Sequence, residues 1–232
     1  MSRVKEALLL AIGILGLGAF LYCAMIHTKD RDRVVSVRGL SEREVKADFV
    51  IWPIVYKEVG NDLSLIHDAV QTKNATLAKF LRDNGVDAAE ISWSAPEIED
   101  AQGERYGDNR RPFRYIATVV TTVASKNVDR VREIMGKQGD LLKQGIAFSG
   151  NDYRYRKIYS FNGLNEIKPA MIDEANKNAR AAGEKFAADS DSKLGKIKTA
   201  SQGQFSISDR DENTPYIKNV RVVTNVQYFL ED

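Results

Sequence analysis

Cysteine and histidine are almost missing from this chain of 232 residues: there is one cysteine, Cys23, and there are two histidines, His27 and His67. A single cysteine excludes an intrachain disulfide. Scarcity of both types leaves little room for a thiolate nucleophile, a Ser-His-Asp set or a zinc site. His27 follows the N-terminal apolar run, and His67 falls one residue past Ile66, at the boundary of a helical apolar stripe. Neither a P-loop nor G-x-G-x-x-G occurs, so no phosphate cradle is expected. An excess of one charge is missing too: 34 basic residues stand against 32 acidic ones with no long block of either sign, so nucleic acid is not an expected partner. No repeat of fixed period is present. The 43% hydrophobic content supports a core that folds without staples.

What is present begins with ALLLAIGILGLGAFLYCAMI, residues 7–26, an uncharged run of the length that crosses a bilayer core, about 20 residues at roughly 1.5 Å each. Arg3 and Lys5 precede it, and a charged juncture at 27–33 follows. The expectation is an uncleaved transmembrane anchor over residues 1–28, with the lipid bilayer as partner through 7–26 and residues 29–232 as a domain outside the cytoplasm. Leu21 and Tyr22 suit neither lipidation at Cys23 nor signal cleavage.

Beyond the juncture, VVSVRGLSEREVKADFVIWPIVYKEVG reads as two strands divided near Gly39–Glu42, with Val50, Trp52, Ile54 and Tyr56 on one face and Phe49, Ile51 and Val55 on the other. Pro53 points to an edge or a bulge. A helix from about Asn61 carries Leu63, Ile66, Val70, Leu77 and Leu81 and stops at Asn84-Gly85. Strands are expected at about 90–99 and 113–123, joined by the polar stretch 100–112. A short helix near Asn127 carries Val128, Val131, Ile134 and Met135, and residues 146–161 read as extended chain. The third helix is expected from Pro169 to Leu194-Gly195, with a small-residue stripe that includes Ala175, Ala179 and Ala182. Strands at about 196–207 and 217–230 close the chain. This order predicts an α+β fold, a mixed and largely antiparallel sheet with about three packed helices, in two subregions, 34–145 and 146–232.

Few residues suggest chemistry. Glu97 and Glu99 alternate onto one strand face and could form an acid–base pair, but beside a polar loop the solvated reading is stronger. The turn SISDRDENTPY, 206–216, gathers Asp209, Asp211, Glu212 and Asn213, oxygen donors of the kind calcium takes, without the EF-hand order. In YRYRKIYSF, 153–161, Tyr153, Tyr155 and Tyr159 share one strand face if the segment is extended; with the alanine stripe they are candidate oligomer contacts. No catalytic residue, cofactor or defined metal ligand is assigned.

The chain resembles the SIMPL-domain family, the YggE-like proteins of bacterial envelopes, over nearly all of 33–232. The resemblance rests on VVSVRGLSEREVKAD, whose Ala47-Asp48 stands where the family has Pro-Asp, on the alanine-rich helix 171–197 ending in Leu-Gly, and on VRVVTNVQYFL, 220–230. It implies a periplasmic or membrane-anchored protein of Gram-negative bacteria, with members that form large, channel-like homo-oligomers and some linked to oxidative or envelope stress. The function expected on these grounds is a non-enzymatic, homo-oligomeric scaffold or interaction protein of the envelope. The alternative is a small-molecule or metal-ion binding module.

Overall fold

A computed structural model describes residues 2–29, 33–103, 112–149 and 153–231, and in the first helix the side chains of Leu8 and residues 11–23. Helix α1 is Ser2–Lys29. Among the described residues no helix is long and apolar enough to cross a membrane, which overturns the expected transmembrane helix over 7–26. The side chains of Leu8 and of residues 11–23 in this helix are exposed.

After α1 come β1 (Val34–Lys46), β2 (Phe49–Gly60), α2 (Leu63–Asp83), β3 (Ile91–Trp93), β4 (Glu97–Asp100), β5 (Tyr115–Ser125), α3 (Val128–Gly136), α4 (Gly139–Lys143), β6 (Ile158–Ser160), α5 (Leu164–Asp189), β7 (Lys193–Gln202), β8 (Ser206–Asp209) and β9 (Ile217–Glu231). The mixed α+β class with antiparallel pairing holds, but the strands form two sheets. The chain folds into two compact units, each assembled from separated stretches: Met1–Arg43, Asn165–Ile207 and Val220–Asp232 form one, Glu44–Leu164 and Ser208–Asn219 the other. These bounds cut across the subregions suggested by element order.

In the first unit, β9 lies between β1 and β7, and β8 also pairs with β9. The long alternation of β9 is realised: Val220, Val222, Thr224, Val226 and Tyr228 are buried. Helix α5 packs through Ala175, Ala179, Gly183 and Ala187, a four-residue spacing that keeps small side chains on one face. Gly39 receives that face. A Cβ there would stand 1.8 Å from the Ala175 carbonyl oxygen and 2.5 Å from the Ala179 nitrogen. Gly39 is therefore a point of close approach inside β1 and not the expected break between strands. The break falls at Ala47-Asp48.

Two further boundaries differ from expectation. Helix α5 begins at Leu164, so Pro169 lies inside it and removes only one early hydrogen bond. It ends at Asp189, before Leu194-Gly195, because the N–H of Ser192 bonds to the Ala187 carbonyl at 2.9 Å and that of Asp191 to Ala188 at 3.2 Å, with Asp191 at φ 51°. This is a Schellman stop with aspartate where glycine is usual.

In the second unit the sheet runs β3-β5-β2-β6, and β4 shares the far edge of β5 with β3. The expected strand at 90–99 is broken into β3 and β4, with Pro96 in the gap. Helix α2 starts one residue later than expected: Asp62 caps it by accepting the N–H groups of Ser64 at 2.7 Å and Leu65 at 3.3 Å. Val50, Trp52, Ile54 and Tyr56 meet Ile66, Val70, Leu77 and Leu81 of α2, Val131 and Ile134 of α3 and Leu141 of α4 in one core. Tyr56 donates to Asn74 Oδ1 at 2.9 Å, and burial, with Glu58 second, pushes its phenol up to about 12.

Candidate functional site

Among the described residues, α2, α3 and α4 of the second unit lie against one face of its sheet, the face of Trp52 and Tyr56. Antiparallel register puts directly paired residues on the same face. The opposite face can therefore be read in rows. Lys57 pairs with Thr118, which pairs with Glu97; Pro53 pairs with Thr122, which pairs with Ser92; Val55 pairs with Val120; Ile158 pairs with Ile51, which pairs with Ala124. The middle of this face is apolar or threonine, and Phe49 extends it. Most of these side chains are half-buried, Val55 is buried, and Lys57, Ser92, Glu97 and Ile158 are exposed. β2 and β5 are rich in β-branched residues because both faces of their sheet carry apolar side chains.

Such a face can bury area against another surface. Its charges sit at its margins, Lys57 on β2 and Glu97 and Glu99 on β4, with β5 between Lys57 and Glu97. Neighbouring strands lie about 4.8 Å apart, so the two are roughly 10 Å apart and do not pair within the chain.

The same unit has an open concavity of about 360 Å³ beside the start of α3, lined by Lys46, Lys126, Asn127, Asp129 and Tyr216 among others. Asn127 caps α3 by accepting the Arg130 N–H at 3.1 Å. Asp129 neutralises the nearby cations, at 3.2 Å from Lys46 and 3.6 Å from Arg132. The Arg132 guanidinium lies 3.4 Å from the centre of the Tyr216 ring, which meets Tyr159 edge-on at 6.2 Å. Lys46 and Arg132 thus have partners in the chain itself.

The sequence candidates are distributed as follows. His67 is exposed on α2, and the side chain of His27 lies outside the described residues. Glu97 and Glu99 do share a face of β4, as expected, but it is the open sheet face and not a cleft. In the acidic turn, Asp209 is paired with Lys218, and Asp211 accepts from Asn213 N at 2.9 Å, Thr214 N at 2.8 Å, the Thr214 hydroxyl and Arg210 Nε at 3.0 Å. The Thr214 hydroxyl and then Arg210 hold the Asp211 carboxyl down at about 2. The oxygens proposed for calcium thus serve the turn, Glu212 and Asn213 being exposed beside them. Among the described residues no group of three or more His, Cys, Asp or Glu side chains could hold a metal ion.

The tyrosines do not form one exposed strand face. Tyr153–Tyr155 is a single 3₁₀ turn and only Ile158–Ser160 is strand. Tyr159 is buried and donates to Met135 Sδ at 3.6 Å, Tyr155 is half-buried, and Tyr153 alone is fully open. Ala175 and Ala179 are buried in their own unit and Ala182 packs beside them. Tyr159, Ala175 and Ala179, expected as oligomer contacts, are buried within the chain. The row that aligns Lys57 with Glu97 was not legible in the sequence because register is not visible in a single strand.

Asp48 is the other residue whose role was not legible. Its carboxylate accepts from Asn162 N at 2.8 Å, Asn162 Nδ2 at 3.1 Å and Gly163 N at 2.8 Å, tying the β1–β2 corner to the residues that lead into α5. That is a structural reason for an aspartate at this corner.

Comparison with curated proteins gives no match. A family model does match, SIMPL, described as a protein of unknown function (DUF541), over residues 35–228, which takes in both units from β1 through most of β9. The chain belongs to the SIMPL family.

Proposed function

We propose that this protein works as a non-enzymatic, self-associating interaction protein, a scaffold whose working surface is the open face of the five-stranded sheet. The observation that carries this reading is the one-sided packing of the second unit. Among the described residues α2, α3 and α4 lie on the Trp52 face, while on the other face Val55 is buried and Ile51, Pro53, Val120 and Ala124 stay half-buried. A half-exposed apolar sheet face gains about 25 cal/mol for each Å² removed from water, which favours a protein surface as its cover.

The setting in the bacterial periplasm implied by the family resemblance belongs to this proposal. The experiment for self-association is the mass of the full-length chain in mild detergent, by light scattering or sedimentation, over a hundredfold range of concentration. A discrete mass of two copies or more is expected. A monomer throughout would end the scaffold reading.

A further inference from the structure

The sheet of the first unit turns a polar face away from α5. On β9 the residues that alternate with the buried Val222, Thr224, Val226 and Tyr228 are Val223, Asn225, Gln227 and Phe229. On β7, Thr199 pairs directly with Gln227 and Ser201 with Asn225, so these four side chains share one face. Ser36 and Arg38 of β1 join them in lining an open concavity of about 230 Å³. Gln227 is half-buried and the other five are exposed. The Thr199 hydroxyl donates to Gln227 Oε1 at 3.0 Å, which fixes that amide and leaves its Nε2 as a donor. Among the described residues the side chains of Ser36, Arg38, Ser201 and Asn225 have no hydrogen-bonded or ionic partner.

No carboxylate lines the concavity, while Arg38 lies in it, and Lys198 stands 5.6 Å from the ring of Phe229, the next residue of β9 on this face. A guanidinium fork binds a carboxylate through two parallel hydrogen bonds. The remaining groups are hydroxyls and amides, which both donate and accept, as the hydroxyls of a sugar do. We propose that this face binds an acidic saccharide, a uronate-type sugar whose carboxylate pairs with Arg38 and whose hydroxyls bond Ser201, Asn225 and Gln227. The volume lies below the roughly 300 Å³ at which pockets for drug-sized ligands begin, which suits a single residue of a longer chain lying across the strands. Nucleic acid fits less well, because neutralising successive phosphates takes a run of cations and the concavity holds one. The site lies wholly in the first unit and is independent of the self-association reading, which rests on the second.

The test is calorimetric titration of the full-length chain, in a detergent without a sugar headgroup, with a trimer of galacturonate. A trimer of glucose serves as the sugar without the charge, and acetate as the charge without the sugar. Saturable binding of the galacturonate trimer, about 10-fold or more tighter than either comparison, is expected. Arg38→Gln should weaken it about 10-fold or more, the scale of hydrogen bonds to a charged group, and Asn225→Ala about 3-fold. Both side chains are exposed, so the fold, checked by circular dichroism, should be kept. Lys126→Gln, which removes an exposed cation of the second unit, should leave binding unchanged. Absence of saturable binding by the wild type, or an Arg38→Gln chain that binds as the wild type does, overturns the site. Equal binding of the glucose trimer removes the carboxylate from the proposal and so defeats it. Equal binding of acetate, or an Asn225→Ala chain without loss, reduces the site to simple anion attraction and defeats the saccharide.

Discussion

Gly39 and Ala175 are in backbone contact: a Cβ on the glycine would lie 1.8 Å from the alanine's carbonyl oxygen. No side-chain rotation can relieve an overlap between a Cβ and backbone, so β1 and α5 would have to separate. Gly39→Ala should cost about 3 kcal/mol, at the upper end of ordinary overpacking. That corresponds to a loss of roughly 6–12 °C in melting temperature for a chain of this size. Gly136→Ala, where nothing lies within 4 Å, is the control and should be neutral or slightly stabilising. Equal melting temperatures for the two variants would refute the close approach.

Asp191 holds a left-handed conformation at φ 51°. Glycine adopts it without the steric penalty that a Cβ carries. Asp191→Gly should raise stability by about 0.5–1 kcal/mol, and Asp191→Val should lower it. Urea unfolding midpoints at constant slope would check both.

Removing the carboxylate at the β1–β2 corner leaves the N–H groups of Asn162 and Gly163 without their acceptor. Asp48→Ala should therefore cost about 2 kcal/mol, the scale of hydrogen bonds to a charged group. Hydrogen exchange at those two amides should rise with it. Unchanged exchange at both would mean that the carboxylate does not hold this corner.

The Asp211 carboxyl, held at about 2 against its ordinary 3.8, titrates lower in the fold than in the unfolded chain. Its contribution is present in full above the unfolded value and disappears as pH falls from about 3.8 to about 2. Glu174 follows the same sign, held below the ordinary carboxylate range by Arg43 first and then by the Ser41 hydroxyl, each at 3.0 Å. Carboxyl carbon shifts followed by NMR should place Asp211 among the last side chains to protonate. A midpoint near 4 would contradict the turn geometry.

The face assignments of Val50, Trp52, Ile54 and Tyr56, the stripe of α2, the cap at Asn127 and the long alternation of β9 were all readable in order along the chain. Each depends on neighbours within a few residues, through the periods of helix and strand or a local cap. Family membership was readable too, since it rests on the order of such segments.

Other features depended on residues remote in sequence. Gly39 resembled a turn because glycine usually marks one, and only the approach of α5 explains it. Pro169 resembled a helix start, yet α5 begins five residues earlier. The tyrosines of 153–159 resembled one strand, yet tertiary packing buried Tyr159 and curled the others into a turn. The candidate interface follows the same rule. Periodicity alone determined which side chains share a face of β2, of β4 and of β5; only the hydrogen-bonded register between those strands decided that Lys57 and Glu97 flank Thr118, because register is a property of paired chains and not of any one of them.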